Sequence, residues 1–296
     1  MPELPEVETV RIGLQGFLPG KVVKSVAHDW PKGFPNSETD VRQFLQGATI
    51  SAVRRRAKVL IIDLSTNYSI IIHLKMTGQL VYVGTGERFG AGHPNDSLVS
   101  ALPDKTTRVT FTFTDGSSLF FNDQRKFGWV RLLPTPAIAE LEFFKKVGPE
   151  PLASDFLDTD FIARLQRRSK SAIKAVLLDQ TVVAGVGNIY ADESLWAAGI
   201  HPETKVADIS SAKLKKLYKV LRDVLQLSIE KGGSTDRNYV NAEGKKGSYL
   251  NVARVFRREG QGCPTCGAPI IKRRVAGRGT HICLHCQPPM PYAKAV

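Results

Sequence analysis

The stretch CPTCGAPIIKRRVAGRGTHICLHC, running from Cys263 to Cys286, contains every cysteine of the 296-residue chain. It reads as C-x2-C, sixteen residues, C-x2-C. Each pair closes a tight turn that presents two thiolates to one metal, and the residues between suit a short hairpin. A redox dithiol needs only one such pair. Two disulfides would suit an oxidising compartment, but the opening MPELPEVETV is acidic and lacks the apolar core of an export signal. The segment therefore reads as a zinc finger with Cys263, Cys266, Cys283 and Cys286 as ligands of one structural Zn2+. Four thiolates close the shell, so the metal holds a shape and does no chemistry.

The finger is strongly basic. Between Arg254 and Cys286, seven cations (Arg254, Arg257, Arg258, Lys272, Arg273, Arg274 and Arg278) stand against Glu259 alone. The whole chain carries a formal charge of +13, from 41 Lys and Arg against 28 Asp and Glu. A polyanion is the natural partner, and a rigid hairpin with this charge suits a phosphate backbone. A basic membrane-surface helix is the other option. The best candidate, Lys213 to Lys231, has its apolar residues at the spacing of a packed core helix. No apolar run approaches the roughly 20 residues needed to cross a bilayer. The expected location is cytoplasmic and nucleoid-associated.

Outward from the finger, the preceding segment is helical by pattern: roughly Asp155–Arg167, Ser171–Leu178, Ile189–Ala198 and Ser210–Glu230, with Gly232 and Gly233 ending the last helix. Ser234 to Asn251 is polar and reads as a loop. Pro134 to Pro151 reads as a boundary. Before it, short antiparallel strands are expected over Val22–Ala27, Thr49–Val53, Val59–Leu64, Ser69–Leu74, Leu80–Val83, Arg108–Phe113, Ser118–Phe121 and Gly128–Leu133. Gly84 to Pro103 reads as a loop, disordered in part. Glu3 to Phe17 reads as a helix, because Leu4, Val7, Val10 and Leu14 recur at helical spacing and the acidic first turn suits the helix dipole. The expected fold class is α+β: an N-terminal β-sandwich with a covering helix over 1–134, a linker over 135–153, a helical module over 154–252, the finger over 253–287 and a tail over 288–296.

Two further segments carry chemistry. In Val183–Tyr190 small residues let the backbone approach a ligand, and Asn188 is placed to cap the next helix, whose free N–H groups favour a phosphate. At the other end, Met1 is followed by the small residue Pro2, so Met1 is expected to be removed. With the ordinary pKa values of the two groups, roughly a tenth of a terminal amine is neutral at pH 7, against well under a thousandth of a lysine. A free Pro2 amine is a plausible nucleophile toward a sugar C1′, with Glu3 and Glu6 nearby to handle protons.

PELPEVETV at Pro2–Val10, RRAK at Arg55–Lys58, HLKMTG at His73–Gly78, DQRKFG at Asp123–Gly128, VGNIYADESLWAAGIHP at Val186–Pro202 and the four-cysteine finger occur in this order. Together they resemble the formamidopyrimidine-DNA glycosylase (8-oxoguanine DNA glycosylase and abasic-site lyase) family, over essentially the whole chain to Cys286. The resemblance implies a β-sandwich, a helix-two-turns-helix module and a zinc finger. It implies a bifunctional base-excision-repair enzyme, in which Pro2 attacks C1′ of an oxidised purine nucleotide and Glu3 supplies protons during base loss and ring opening. Lys58 then assists β-elimination, and Arg278, in the finger loop Ala276–Thr280, promotes δ-elimination. Lys58, Arg278, His73 and Asn188 clamp the phosphates around the lesion. Met76, Arg125 and Phe127 enter the space left by the extruded base, a job that suits a flexible apolar filler, a donor to the orphaned cytosine and a wedge. Periodicity alone would let Met76 and Phe127 pack in a core.

The implied partner is double-stranded DNA with oxidised purines or abasic sites; no membrane is involved and a monomer is expected. Ser169 falls where many members have a lysine, and the adjacent Lys170 is the substitute DNA contact. The Ser234–Asn251 loop corresponds to the family's lesion-capping loop with a poor residue-level match. The related endonuclease that prefers oxidised pyrimidines shares Pro2, Glu3, Lys58 and the finger, but Met76 with Arg125 and Phe127 favours the purine enzyme. A silent damage-binding protein would have lost one of Pro2, Glu3 and Lys58. A zinc-ribbon transcription or ribosomal protein would leave the first 150 residues unexplained.

Overall fold

The computed structural model describes residues 2–93, 95–234 and 248–289. The chain divides into two compact units, Met1–Lys145 with Ile229–Tyr249, and Lys146–Ser228 with Leu250–Val296.

The first unit is a sandwich of two antiparallel sheets. One has the order β1 (Val23–His28), β7 (Thr107–Phe113), β8 (Ser118–Asp123), β5 (Gly78–Gly84), β6 (Glu87–Gly92). The other has the order β2 (Ile50–Arg56), β3 (Val59–Leu64), β4 (Tyr68–His73), β9 (Trp129–Pro134). Helix α1 (Leu4–Phe17) packs on strands of both sheets, and its Val7, Val10 and Leu14 join Leu60, Ile62, Leu80 and Phe121 in one core. A short helical turn, α2 (Glu38–Asp40), runs into a π-helix at Val41–Leu45.

The strand VLIIDL of β3 is apolar almost throughout because both of its faces are covered. Leu60, Ile62 and Leu64 face the sandwich core, while Val59 and Ile61 pack with Ile71 and Ile138 under the segment that holds the 3-10 turn Thr135–Glu140 and α3 (Glu142–Lys146). The 84–103 stretch does the same for the other sheet, where the sequence predicts a partly disordered loop. It supplies strand β6 and a turn at Asp96–Leu98, and Leu98 packs outside Val81 and Phe120. Arg88 fixes that turn by donating to the carbonyls of Leu98 (2.9 Å) and Ser100 (2.7 Å). Its strand has no β-branched residue (ERFGAG), which hid it from a reading by strand propensity.

The second unit holds α4 (Asp158–Gln166), α5 (Ile173–Leu178), α6 (Asn188–Ala198), α7 (Ser211–Glu230), whose last two residues belong to the first unit, and α8 (Tyr249–Val252) at the junction. It ends in the hairpin β10 (Ile271–Val275) and β11 (Arg278–Ile282). Helix α7 is amphipathic, with Leu214, Leu217, Leu221 and Leu225 buried. Helix α6 ends at Gly199, whose φ of 69° is the left-handed conformation that such a helix terminus demands. It is buried nearly all round, and its polar residues Asp192 and Glu193 are 0% and 1% exposed. Both are anchors for the finger. Asp192 accepts the Lys174 ammonium (2.6 Å) and the His281 backbone N–H (2.9 Å), and Lys174 also donates to Thr280 Oγ1 (2.6 Å). Glu193 accepts the backbone N–H groups of Arg254, Val255 and Phe256 at 2.8–3.1 Å. No described helix is long and apolar enough to cross a membrane.

Removing one partner of a fully buried ion pair strands the other charge. Asp192→Ala should therefore lower the local stability of β10–β11 by about 3–5 kcal/mol, read from hydrogen exchange of their amides. The paired apolar replacement Lys174→Met with Asp192→Leu should cost less than either single change.

Candidate active site and metal centre

Pro2 and Glu3 are both buried at the head of α1. Glu3 is the N-cap residue, and it forms a reciprocal capping box with Glu6, in which Glu3 N–H donates to Glu6 Oε2 at 2.8 Å. The other Glu6 oxygen accepts Ser234 N–H at 2.8 Å. Glu6, grouped with Glu3 as a proton handler in the sequence, is thus committed to main-chain donors. It fixes the first turn of α1 and the foot of the Ser234–Asn251 loop, whose residues 235–247 lie outside the described residues.

Lys58 sits on the tight turn between β2 and β3, where Ala57 takes a left-handed φ of 53°. The RRAK motif explains the turn. Arg55 is 10% exposed and donates Nε–H to Glu8 of α1 (2.8 Å) and Nη1–H to the Ala57 carbonyl (2.7 Å). A single guanidinium therefore spans the helix that carries Pro2 and Glu3 and the turn that carries Lys58. Lys58 itself is 7% exposed.

His73 closes β4 opposite Val59. Burial, with the nearby charges of Lys75 and Lys58, pushes its pKa down to about 3. Nδ1 accepts the Lys75 backbone N–H at 3.0 Å, so the single proton of the neutral ring lies on Nε2. His73 is thus built as a neutral donor.

Met76, Arg125 and Phe127 cluster at the tips of two neighbouring turns. Met76 and Phe127 are 39% and 51% exposed. The Arg125 guanidinium lies 4.6 Å from the Phe127 ring centre, and its Nη1 is 3.4 Å from the Met76 sulfur. Apolar side chains held together in solvent are more costly than core residues would be, and their exposure rules out the core reading that periodicity allowed.

In the second unit, Asn188 is the first residue of α6, with Gly187 at the N-cap position and no side-chain cap bond. The expected capping role is replaced by a bridge: Nδ2 donates to Gly279 O at 2.9 Å. Asn188 thereby lies within one residue of Arg278, and its buried Oδ1 has no partner among the described residues. Arg278 is exposed just past the hairpin turn, where Ala276 and Gly277 both take positive φ (49° and 73°), as a two-residue hairpin requires. Asn188, Arg257, Lys272 and Gly279 line an open cleft. Lys170 is exposed on the turn between α4 and α5. Sequence reading assigned no role to Arg55, Lys174, Asp192 and Glu193; the signals available were the place of Arg55, Asp192 and Glu193 inside the quoted motifs and, for Lys174, charge at a helix position that the apolar pattern marks as buried.

The four cysteine sulfurs lie within 4.8 Å of one another, with Cys263–Cys286 at 3.7 Å and Cys266–Cys283 at 3.5 Å. Four sulfurs about 2.3 Å from one tetrahedral zinc stand about 3.8 Å apart, so the cluster fits Zn2+. The buried Trp196 N–H finds no bonded acceptor among the described residues and packs beside Cys263, where a thiolate is the acceptor on offer.

Comparison with known proteins agrees with this geometry. Three family models match in sequence: the formamidopyrimidine-DNA glycosylase N-terminal domain at residues 1–130, the formamidopyrimidine-DNA glycosylase H2TH domain at 147–239, and the zinc finger found in FPG and IleRS at 260–289. The class is thus a DNA glycosylase with an H2TH module and a zinc finger. Formamidopyrimidine-DNA glycosylases of Enterococcus faecalis and of Streptococcus thermophilus are each 42% identical over 288 residues, covering 97% of this chain and 97% and 99% of theirs. Two Lactococcus lactis structures, an FPG mutant with DNA containing Fapy-dG and an Fpg with DNA containing an abasic site, superpose with a TM-score of 0.85 at 36% identity, covering 97% of this chain and 100% of theirs. The chain belongs to the formamidopyrimidine-DNA glycosylase family.

Two outcomes are expected. Stripping zinc with a chelator should abolish exchange protection of the β10–β11 amides, because the finger's core consists of little beyond the cysteines, Trp196, Val255 and Ile270. Because His73 stays neutral, the ratio of DNA dissociation constants between His73→Ala and wild type should be constant from about pH 5 to 8. Folding depresses this pKa, so His73 opposes the folded state only as pH falls below its ordinary 6.5 toward about 3.

Proposed function

We infer that this protein is a bifunctional DNA glycosylase and abasic-site lyase of base excision repair, acting on oxidised purines in duplex DNA. The observation that carries the reading is the assembly at the head of α1: buried Pro2 and Glu3, with Lys58 tied to the same helix through Glu8, Arg55 and Ala57. Around it stands family membership along nearly the whole chain.

Removal of Met1 frees the Pro2 amine. The Pro2 nitrogen attacks C1′, the bond to the damaged base breaks, and an iminium forms. Glu3 carries protons to and from the departing base and the opening sugar. Loss of the C2′ proton then expels the 3′ phosphate (β-elimination), with Lys58 assisting, and a second elimination releases the 5′ phosphate (δ-elimination), with Arg278 assisting. A one-nucleotide gap with phosphates at both ends remains. His73 donates Nε2–H to a phosphate, while Asn188, Lys170 and the basic finger hold the backbone. Met76, Arg125 and Phe127 fill the space left by the extruded base and contact the orphaned cytosine. Cys263, Cys266, Cys283 and Cys286 hold the zinc, whose part is to rigidify the hairpin bearing Arg278. The charge of +13 suits a monomer working on nucleoid DNA in the cytoplasm.

Borohydride trapping on a duplex carrying 8-oxoguanine opposite cytosine, followed by peptide mass spectrometry, tests the assignment. The expected adduct is on Pro2, and Glu3→Gln should lower base excision by about a hundredfold to ten-thousandfold. A lysine adduct would overturn the nucleophile. Tight binding without any adduct would favour a silent damage-binding protein, and faster action on thymine glycol would favour the pyrimidine-specific relative.

A further inference from the structure

Two turns carry the exposed cluster of Met76, Arg125 and Phe127, and one buried carboxylate ties them together. Asp123 is the last residue of β8, opposite Gly78 at the start of β5, and it is fully buried. Its Oδ1 accepts the Thr77 hydroxyl and the Arg125 backbone N–H, the latter at 3.2 Å. Its Oδ2 accepts the Gly128 N–H at 2.7 Å. The Thr77 oxygen in turn accepts the same Arg125 N–H at 3.1 Å. The carboxylate thus grips the Arg125–Phe127 turn at both ends and the Met76 turn through Thr77. Gly128 must be glycine for this grip: a Cβ there would stand 2.7 Å from Phe121 Cζ and 3.1 Å from Asp123 Oδ2.

The main chain of Asp123 is equally committed. Its N–H donates to Thr106 O (2.8 Å) and its carbonyl accepts Arg108 Nε–H (2.9 Å). None of these groups is free to touch DNA. What they fix is the shape of the tips, including Lys126, held left-handed at a φ of 57°. Two apolar residues standing in water would otherwise fold down onto the sheet, and ordering them only on contact with DNA would cost conformational entropy.

We propose that Asp123, with Thr77, is the positioning pair that pre-forms the Met76–Arg125–Phe127 wedge, so that its insertion into the duplex is set by one buried carboxylate. This rests on reading those three residues as the group that enters the base stack.

The test reads insertion apart from chemistry. A fluorescent base analogue is placed opposite a tetrahydrofuran abasic analogue, which no glycosylase step alters, and stopped-flow fluorescence follows its unstacking. Asp123→Asn, whose amide cannot accept from Gly128 or Thr77 with both arms, should slow the insertion phase about tenfold or more. Thr77→Val should do the same, and Thr77→Ser, which restores the hydroxyl, should return the wild-type rate. Together the double variant should be no slower than the worse single one. Initial encounter with DNA, read by anisotropy, should change less than about threefold, since phosphate contacts dominate it. Unchanged insertion in both Asp123→Asn and Thr77→Val overturns the proposal. So does a Thr77→Ser variant as slow as Thr77→Val, because the hydroxyl would then not be the link. Failure of wild-type protein to excise 8-oxoguanine would instead overturn the enzymatic reading, and the fluorescence result would still decide the role of Asp123.

Discussion

Helix α1 presents Val7, Val10 and Leu14, each no more than 1% exposed, to a core that both sheets share. A chain terminus is ordinarily the loosest part of a protein. The chemistry proposed at Pro2 needs the opposite, a reacting atom held within a fraction of an ångström. Burying the helix that follows it satisfies that need, and Glu6 finishes the job by bonding the Glu3 N–H. The Arg55 bridge and the placement of Lys58 then follow from where α1 lies.

A single device recurs around these elements. Glu6, Asp123, Asp192 and Glu193 are buried carboxylates, and each accepts main-chain N–H groups from a turn or segment beyond its own element. A buried carboxylate is costly unless its lone pairs are used. Once they are used, charge-assisted bonds hold irregular backbone more firmly than neutral ones do. The turn held by Asp123 carries Arg125 and Phe127, and the segments held by Asp192 and Glu193 lie in and before the finger hairpin that bears Arg278.

Legibility in the sequence followed the same division. The helical period marked α1 and α7 well, because burial of one face imposes a repeat, and β3 stood out as a continuous apolar run. The finger was legible because four thiolates must reach one metal. Pro2, Glu3, Lys58, His73 and the exposed trio were assigned through motifs. Strand β6 was missed, since Gly and Ala tolerate a strand without signalling it. Asn188 read as a helix cap because helix starts favour asparagine, yet its amide reaches instead to Gly279, a residue 91 positions away that no local pattern could anticipate. Asp123, Arg55 and Asp192 were hidden for the same reason: a charged letter gives no sign of which distant turn it will hold.

The first unit buries its apolar side chains around α1 and the sheets and the second along α4 to α7, while the finger at its end holds only a small set beside the cysteines. The sheets and helices cohere through hydrophobic area, the finger largely through metal coordination. A molecule assembled this way has no single melting temperature in the thermodynamic sense. Its calorimetric trace is a sum of transitions whose spacing shifts with free zinc concentration, and a stability quoted for it has meaning only together with the metal activity at which it was taken.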